Sequence, residues 1–256
     1  MSAVQLYDAD KLAGLLGMLP DVDSVELKLS IPDAERPQVF RSLDLDPLLA
    51  QVRQVAFLDT PDLKLSEAGV VIRVRRTQGR PGDLTVKLRP MLPSDVPAEM
   101  RGVSGFKVEV DASPTGYTCS CSLTTEISDR KAKALMGQQE SLKKLLSRRQ
   151  RAMVEDRLPP GVSFADIRVL GPLTLLKAKF APTDFNRKMT LELWFMPDGG
   201  RLLELSTKTD PVAAFQTAAE TRVFLARRDI DLGAPQETKT RRALAVLAAQ
   251  YDAAQP

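Results

Sequence analysis

Cationic side chains that alternate with apolar ones are the most informative chemical feature of this 256-residue sequence. In the segment VVIRVRR, Arg73 and Arg75 alternate with Ile72 and Val74. Residues two apart in a β-strand share a face, so the pattern predicts two guanidinium groups on one face and apolar side chains on the other. Arginine is suited to binding phosphate oxygens. Taken alone, such alternation is also typical of any half-exposed strand.

The same alternation recurs in the segments VELKLS, LTVKLR, FKVEVD, LLKAKF, LELWF and LLELS. If these strands close into a barrel, one face becomes its lumen. Unpaired buried charge is costly, so a charged lumen predicts a bound polyanion, with carboxylates holding divalent cations. The polar faces together supply Glu26, Lys28, Arg73, Arg75, Lys87, Arg89, Lys107, Glu109, Asp111, Lys177, Lys179, Glu192, Glu204 and Lys208.

Composition excludes several kinds of active site. The chain contains no histidine, which rules out Ser-His-Asp and Cys-His catalysis and histidine-ligated zinc. The two cysteines, Cys119 and Cys121, are too few for a zinc site, and we expect reduced thiols in a loop or at a strand edge. A net charge of only +3 does not indicate a nucleic-acid-binding surface. The sequence has no glycine-rich phosphate-binding loop.

Domain organisation is predicted as an N-terminal lead over residues 1–20 and a single domain over 21–251. No apolar run approaches the ~20 residues of a membrane span, so we expect a cytoplasmic protein without membrane contacts. Residues 128–156 have helical periodicity and many cations, which indicates one long or two consecutive basic helices; a solvated face is the favoured interpretation over a partner-binding one. Further helices are predicted over 35–43, 211–228 and 237–251.

The ordered set of segments resembles the CYTH family, also called triphosphate tunnel metalloenzymes, over roughly residues 21–247. VELKLS resembles the family's opening E-x-E-x-K strand, and FLDTPDLKLSEAGVVIRVRR resembles its D-T-P…L-R-x-R segment; TKTRRAL ends the series. The family includes class IV adenylate cyclases, thiamine triphosphatases and inorganic triphosphatases. The resemblance implies an α+β fold, an eight-stranded antiparallel closed β-barrel with α-helices packed outside.

The resemblance also implies roles for individual residues. Glu26, Glu204 and Lys87 would be catalytic, and the cofactor would be Mg²⁺ or Mn²⁺. Phosphate-binding residues would be Lys28, Arg73, Arg75, Lys87, Arg89, Lys177, Lys179, Arg187 and Lys239. Metal ligands would be Glu26, Glu109, Asp111, Glu192 and Glu204.

Two positions depart from the family pattern, because Ser24 and Ser206 stand where the family carries carboxylates for its catalytic metal. A hydroxyl is a poorer Mg²⁺ ligand than a carboxylate. The leading hypothesis is a metal-dependent phosphohydrolase acting on an inorganic or organic triphosphate in a charged barrel lumen. A class IV-type adenylate cyclase and a triphosphate- or polyphosphate-binding module with little turnover stay open as alternatives, as does a homodimer. We expect no specific nucleic-acid partner.

Overall fold

Nine strands of the described residues, 9–254, close into a barrel in the computed structural model of this chain. Part of the predicted lead, residues 1–8, lies outside the described residues. Around the barrel the order is β1-β5-β6-β4-β3-β2-β7-β8-β9, and β9 pairs with β1. The strands are β1 Ser24–Ile31, β2 Gln51–Asp59, β3 Val70–Thr77, β4 Arg80–Leu88, β5 Phe106–Ser113, β6 Gly116–Ile127, β7 Arg168–Phe180, β8 Met189–Phe195 and β9 Arg201–Thr209.

The barrel is closed, as predicted, but the eight-stranded, fully antiparallel arrangement is wrong. The sequence GYTCSCSLTTEI forms the extra strand β6, which pairs with both β4 and β5. From Thr118 to Thr124 its inner positions carry hydroxyls rather than charges, so this segment lacks the alternation of charged and apolar residues. Cys119 and Cys121 are free and buried on this strand, not in a loop or at an edge. An odd number of strands cannot alternate in direction all the way round, and β1 with β5 is the parallel pair.

Short helices connect and cover the strands. The 128–156 region forms three helices rather than one or two. Gly137 follows the first helix, and Ser147 begins the last one with a capping box to Gln150. No helix of the described residues is long and apolar enough to cross a membrane. The helices are α1 Ala9–Met18, α2 Arg36–Ser42, α3 Lys64–Glu67, α4 Ala98–Arg101, α5 Asp129–Met136, α6 Leu142–Leu145, α7 Arg148–Glu155, α8 Ala214–Ala226 and α9 Lys239–Ala253, with 3₁₀ turns at Leu19–Asp21, Asp33–Glu35, Pro47–Leu49, Pro93–Asp95 and Pro211–Ala213.

Two hydrophobic clusters bind helices to the outside of the barrel. Leu135 of α5 and Val154 of α7 pack on apolar residues of β3, β4, β5 and β6, such as Val86. Phe40 of α2 and Phe224 of α8 join the outer faces of β1, β8 and β9. These clusters bury the apolar half of each alternating strand, so the charged half is left to face the lumen.

A third cluster lies inside one end of the barrel. Leu244 and Leu247 of α9 pack with Phe57, Leu173 and Trp194. By alternation, these three residues share a strand face with Arg53, Lys177 and Glu192 respectively, which is the lumen face. The last helix therefore closes this end of the barrel from within, which differs from the expectation that all helices pack outside.

Candidate functional site

The lumen gathers charges from strands that are distant in sequence. Arg73 illustrates the geometry: its neighbours Ile72 and Val74 are 1% and 0% exposed and belong to an outer cluster, so Arg73 itself points inward. Ion pairs then connect inner residues of different strands. This confirms the two-faced strands that the alternation predicts and shows which acid meets which base.

Lys28 bridges two carboxylates at the parallel pair of strands. Register places Glu26 of β1 beside Asp111 of β5, and the Lys28 ammonium lies 3.3 Å from Glu26 and 2.8 Å from Asp111. Lys87 of β4 donates to the second oxygen of Asp111 at 3.0 Å. Burial by itself raises the pKa of Asp111, but Lys28 and Lys87 outweigh it and hold the pKa well below its usual range. Burial by itself lowers the pKa of Lys28, but the carboxylates of Asp111 and Glu26 outweigh burial and raise the pKa above its usual value. The ammonium group therefore stays charged.

Lys239 makes a second bridge from the helix that closes the barrel. As the first residue of α9, it donates to Glu192 of β8 and to Glu204 of β9, both at 2.6 Å. Glu192 also accepts from Lys177 at 2.8 Å and from the Trp194 indole at 3.2 Å. Burial favours the neutral form of Glu192, but the two lysines hold its pKa well below the usual range. The side chain of Lys239 is 17% exposed, so this network is enclosed.

Three arginines form a cluster with one carboxylate partner. Arg75 donates to Asp83 at 2.7 Å, and Arg53 donates to the neutral Gln51 at 3.0 Å. The buried Nε of Arg73 has no hydrogen-bond partner among the described residues. Burial and the neighbouring Arg75 lower the pKa of Arg73, and the same two causes lower the pKa of Arg53 to about 10. Arg53 and Arg73 thus have no carboxylate partner among the described residues, and phosphate oxygens would suit such guanidinium groups.

The end of the barrel opposite α9 carries exposed cations. Lys179 and Lys208 lie near the ends of their strands there, and Lys208 pairs with Glu109, which also accepts from Ser24 at 3.1 Å. Arg187, a predicted phosphate ligand, pairs with Glu220 of α8 at 3.0 Å. A pocket at this mouth is lined by Asp23, Ser24, Lys107, Arg187, Lys208, Thr209 and Asp210.

Arg89 follows β4 near the closed end. Burial is the main cause that lowers its pKa, with Arg241 of α9 also contributing. No carboxylate of the described residues lies within ion-pair distance of Arg89. It therefore adds a second cation without a counter-ion to the phosphate-binding set predicted from the sequence.

No family profile and no curated protein matches this chain. Solved structures do match: a candidate adenylate cyclase from Bacillus halodurans has a TM-score of 0.60 at 13% identity, over 86% of this chain and 96% of that one. A candidate adenylyl cyclase from Hippeastrum with a dominant triphosphatase activity has a TM-score of 0.60 at 17% identity, over 85% of this chain and 94% of that one. The chain has the CYTH, or triphosphate tunnel, fold.

The tunnel does not present a ready site for a divalent metal. Ser24 lies two residues before Glu26 on the same face, and the Ser206 hydroxyl donates to Glu26. Glu26 and Glu204 are not adjacent, because the register sets the Lys28–Ser206 pair between them. Among residues 9–254, no group of three or more His, Cys, Asp or Glu side chains is placed to hold a metal. A requirement for Mg²⁺ or Mn²⁺, with the ligands named from the resemblance, therefore stays a prediction.

Sequence reasoning missed two polar residues of the tunnel. Arg53 lies on β2, which begins at Gln51, six residues before Phe57, where the segment that resembles the family begins. Asp83 belongs to β4, although its Gly and Pro neighbours predict a loop. The spacing of two between Arg53, Val55 and Phe57, which puts them on one strand face, was the available signal for Arg53. Only the pairing of β3 with β4 shows that Asp83 opposes Arg75.

Proposed function

We propose that this protein binds a triphosphate-containing small molecule or a polyphosphate in the tunnel and hydrolyses one of its phosphoanhydride bonds. The observation that carries the proposal is the buried Arg73 guanidinium, whose Nε has no partner among the described residues. An unsatisfied buried charge is costly, and such groups mark sites where a ligand completes the hydrogen bonding.

The arrangement of the other cations supports a chain of phosphates over a single one. Arg53 and Arg75 lie beside Arg73, while Lys28 and Lys87 meet at Asp111 on other strands. A triphosphate offers several anionic oxygens along its length, which suits cations supplied by several different strands. Fixed cations in an enclosed site would also stabilise the charge that develops on the leaving phosphate when water attacks phosphorus.

Hydrolysis is the reaction class we favour over cyclisation, since the Hippeastrum protein of the same fold has a dominant triphosphatase activity. A second candidate is a triphosphate-binding protein with little turnover. That candidate is favoured by Ser24 and Ser206, which leave Glu26 without a neighbouring carboxylate on β1 or β9. Both candidates share the same binding site and differ in whether the bound phosphoanhydride is cleaved.

A substrate panel tests the proposal. ATP, inorganic triphosphate, thiamine triphosphate and long polyphosphate are each incubated with the protein and Mg²⁺ or Mn²⁺, and phosphate, pyrophosphate and cyclic AMP are assayed separately. We expect phosphate release from at least one triphosphate and its loss in Arg73→Gln. Cyclic AMP with pyrophosphate would instead indicate cyclisation. Binding by calorimetry without any product would identify the low-turnover alternative, and no binding at all would refute the proposal.

A further inference from the structure

The carboxylates that would serve a metal each hold a lysine in this tunnel. Lys28 lies between Glu26 and Asp111, and Lys239 lies between Glu192 and Glu204. Each bridge joins two separate strands, at distances between 2.6 and 3.3 Å. An ammonium group with three donors can satisfy two carboxylates and still donate to a third acceptor.

These ammonium groups are fixed in place by the fold. Lys239 begins α9, whose Leu244 and Leu247 fill the end of the barrel, so the packing of this helix places the ammonium beside its two acids. Lys28 is held by a strand that is paired on both sides. A divalent cation placed between the same carboxylates would have to displace a buried like charge or lie beside it, which electrostatics disfavours.

Other cations in the lumen form no ion pair with a carboxylate of the described residues. Arg53 is bonded to Gln51, Arg73 has an unsatisfied Nε, and Arg89 has no ion pair among the described residues. The acids are thus already neutralised by lysines, and the remaining positive charge is available to phosphate oxygens directly. A metal ion is not needed to bring phosphate and carboxylate together when no carboxylate is left without a cation.

We propose that Lys28 and Lys239 replace the divalent cation in charge neutralisation, so that the tunnel binds the metal-free triphosphate anion. This inference rests on the proposed function and names the ionic form of its ligand. It concerns binding, and a metal requirement for turnover is a separate question.

Calorimetry with inorganic triphosphate tests the inference, once in buffer with EDTA and once with excess Mg²⁺. Mg²⁺ chelates triphosphate and lowers the concentration of the free anion, so we expect the apparent affinity in EDTA to equal or exceed that in Mg²⁺. Affinity that is weaker in EDTA by about tenfold or more, and restored by Mg²⁺, would overturn the inference while leaving the proposed function intact. Absence of binding in both buffers would instead refute the proposed function.

Two substitutions sharpen the test. Lys28→Gln and Lys239→Gln each remove one bridging ammonium, and we expect affinity in EDTA to fall by about tenfold or more, with partial recovery in Mg²⁺ because the vacated carboxylates can then accept the ion. Lys144→Gln, on the exposed face of α6, is the matched control and should bind as the wild type does. Circular dichroism checks folding. If Lys239→Gln fails to fold, Lys28→Gln and the wild-type comparison decide; wild-type affinity of a folded bridge variant in EDTA would contradict the inference.

Discussion

Lys239 Nζ lies 2.6 Å from Glu204 Oε1, so the helix that closes the barrel is bound to strand β9 by a buried ion pair. The same ammonium reaches Glu192 of β8 at 2.6 Å, which joins two neighbouring strands to α9. Burial lowers the pKa of Lys239, but Glu204 and Glu192 more than compensate and raise it above its usual value. The helix thus contributes an enclosed positive charge as well as an apolar plug.

Lys239→Met should destabilise the fold strongly. The substitution leaves the buried Glu204 without an ion-pair partner among the described residues, while Glu192 keeps Lys177, and breaking a buried pair costs about 3–5 kcal/mol. Arg242→Met is the control on the same helix, because Arg242 forms an exposed pair with Glu237 and such pairs contribute less than about 1 kcal/mol. Chemical denaturation measures both free energies of unfolding. Equal losses of unfolding free energy in the two variants would show that the buried ion pairs of Lys239 stabilise the fold no more than the exposed pair of Arg242 does.

Arg73→Gln should weaken triphosphate binding without harming the fold. Loss of a charge-assisted hydrogen bond predicts a decrease in affinity of about 10- to 100-fold. Stability should be unchanged or higher, since a buried guanidinium with an unsatisfied Nε is removed. Arg76→Gln is the control, because Arg76 lies on the opposite face and pairs with Asp129. Calorimetry that finds the two variants equally affected would contradict the placement of Arg73 at the ligand.

Arg53→Gln tests the residue that the sequence did not reveal as part of the site. Arg53 shares the lumen face with Val55 and Phe57. Burial is the main cause that lowers its pKa to about 10, and the neighbouring Arg75 and Arg73 also lower it. We expect triphosphate affinity to fall by about tenfold, because one cation of the cluster is lost. Arg80→Gln, at the exposed start of β4, should leave the affinity unchanged. Unaltered binding by the Arg53 variant would exclude it from the site.

Stability should decrease at acid pH. The pKa of Asp111 and the pKa of Glu192 are both held below their usual values, by Lys28 with Lys87 and by Lys239 with Lys177, against the opposing effect of burial. A lowered folded-state pKa stabilises the protein above the unfolded-state pKa of about 4, and this stability is lost as the pH falls toward the folded-state value.

Free energies of unfolding measured across pH test this expectation. They should be nearly constant from about pH 5 to 8 and decline below about pH 4. Asp111→Asn removes one of the responsible carboxyls and should reduce the slope on the acid side. An unchanged slope in that variant would show that other groups cause the acid sensitivity.

Ser24→Glu combined with Ser206→Glu should create a metal site. The new carboxylates would flank Glu26, one on the same strand and one at the Ser206 position, whose hydroxyl already donates to Glu26. Such a group of acids suits Mg²⁺ or Mn²⁺. Electron paramagnetic resonance of added Mn²⁺ should show tighter binding than in the wild type. Ser122→Glu, which adds a carboxylate to the lumen face of β6, is the control; equal Mn²⁺ binding by both would mean that charge alone is responsible.

The sequence alone predicts which residues of a strand share a face, because that depends only on local backbone geometry. Strand residues two apart share a face whatever the rest of the chain does, so Arg73 and Arg75, or Lys177 and Lys179, could be assigned to one face from the sequence. Closure of the strands into a barrel was implied by the family resemblance. Strand β6 was not predicted, because most of its inner positions carry Ser and Thr instead of charged residues, and Ser is also common in turns.

Which charges meet was decided only by the tertiary structure. Whether Glu26 neighbours Ser206 or Glu204 depends on the register between β1 and β9, and register is set by closure of the whole barrel and by packing on both faces. The position of α9 is likewise non-local, since its apolar stripe predicts a buried face but not that the face lies inside the barrel. The sequence by itself therefore determined which charged side chains share a strand face, and the fold determined that lysines hold the acids of the lumen, because ion pairs form between strands and strand pairing is fixed only in three dimensions.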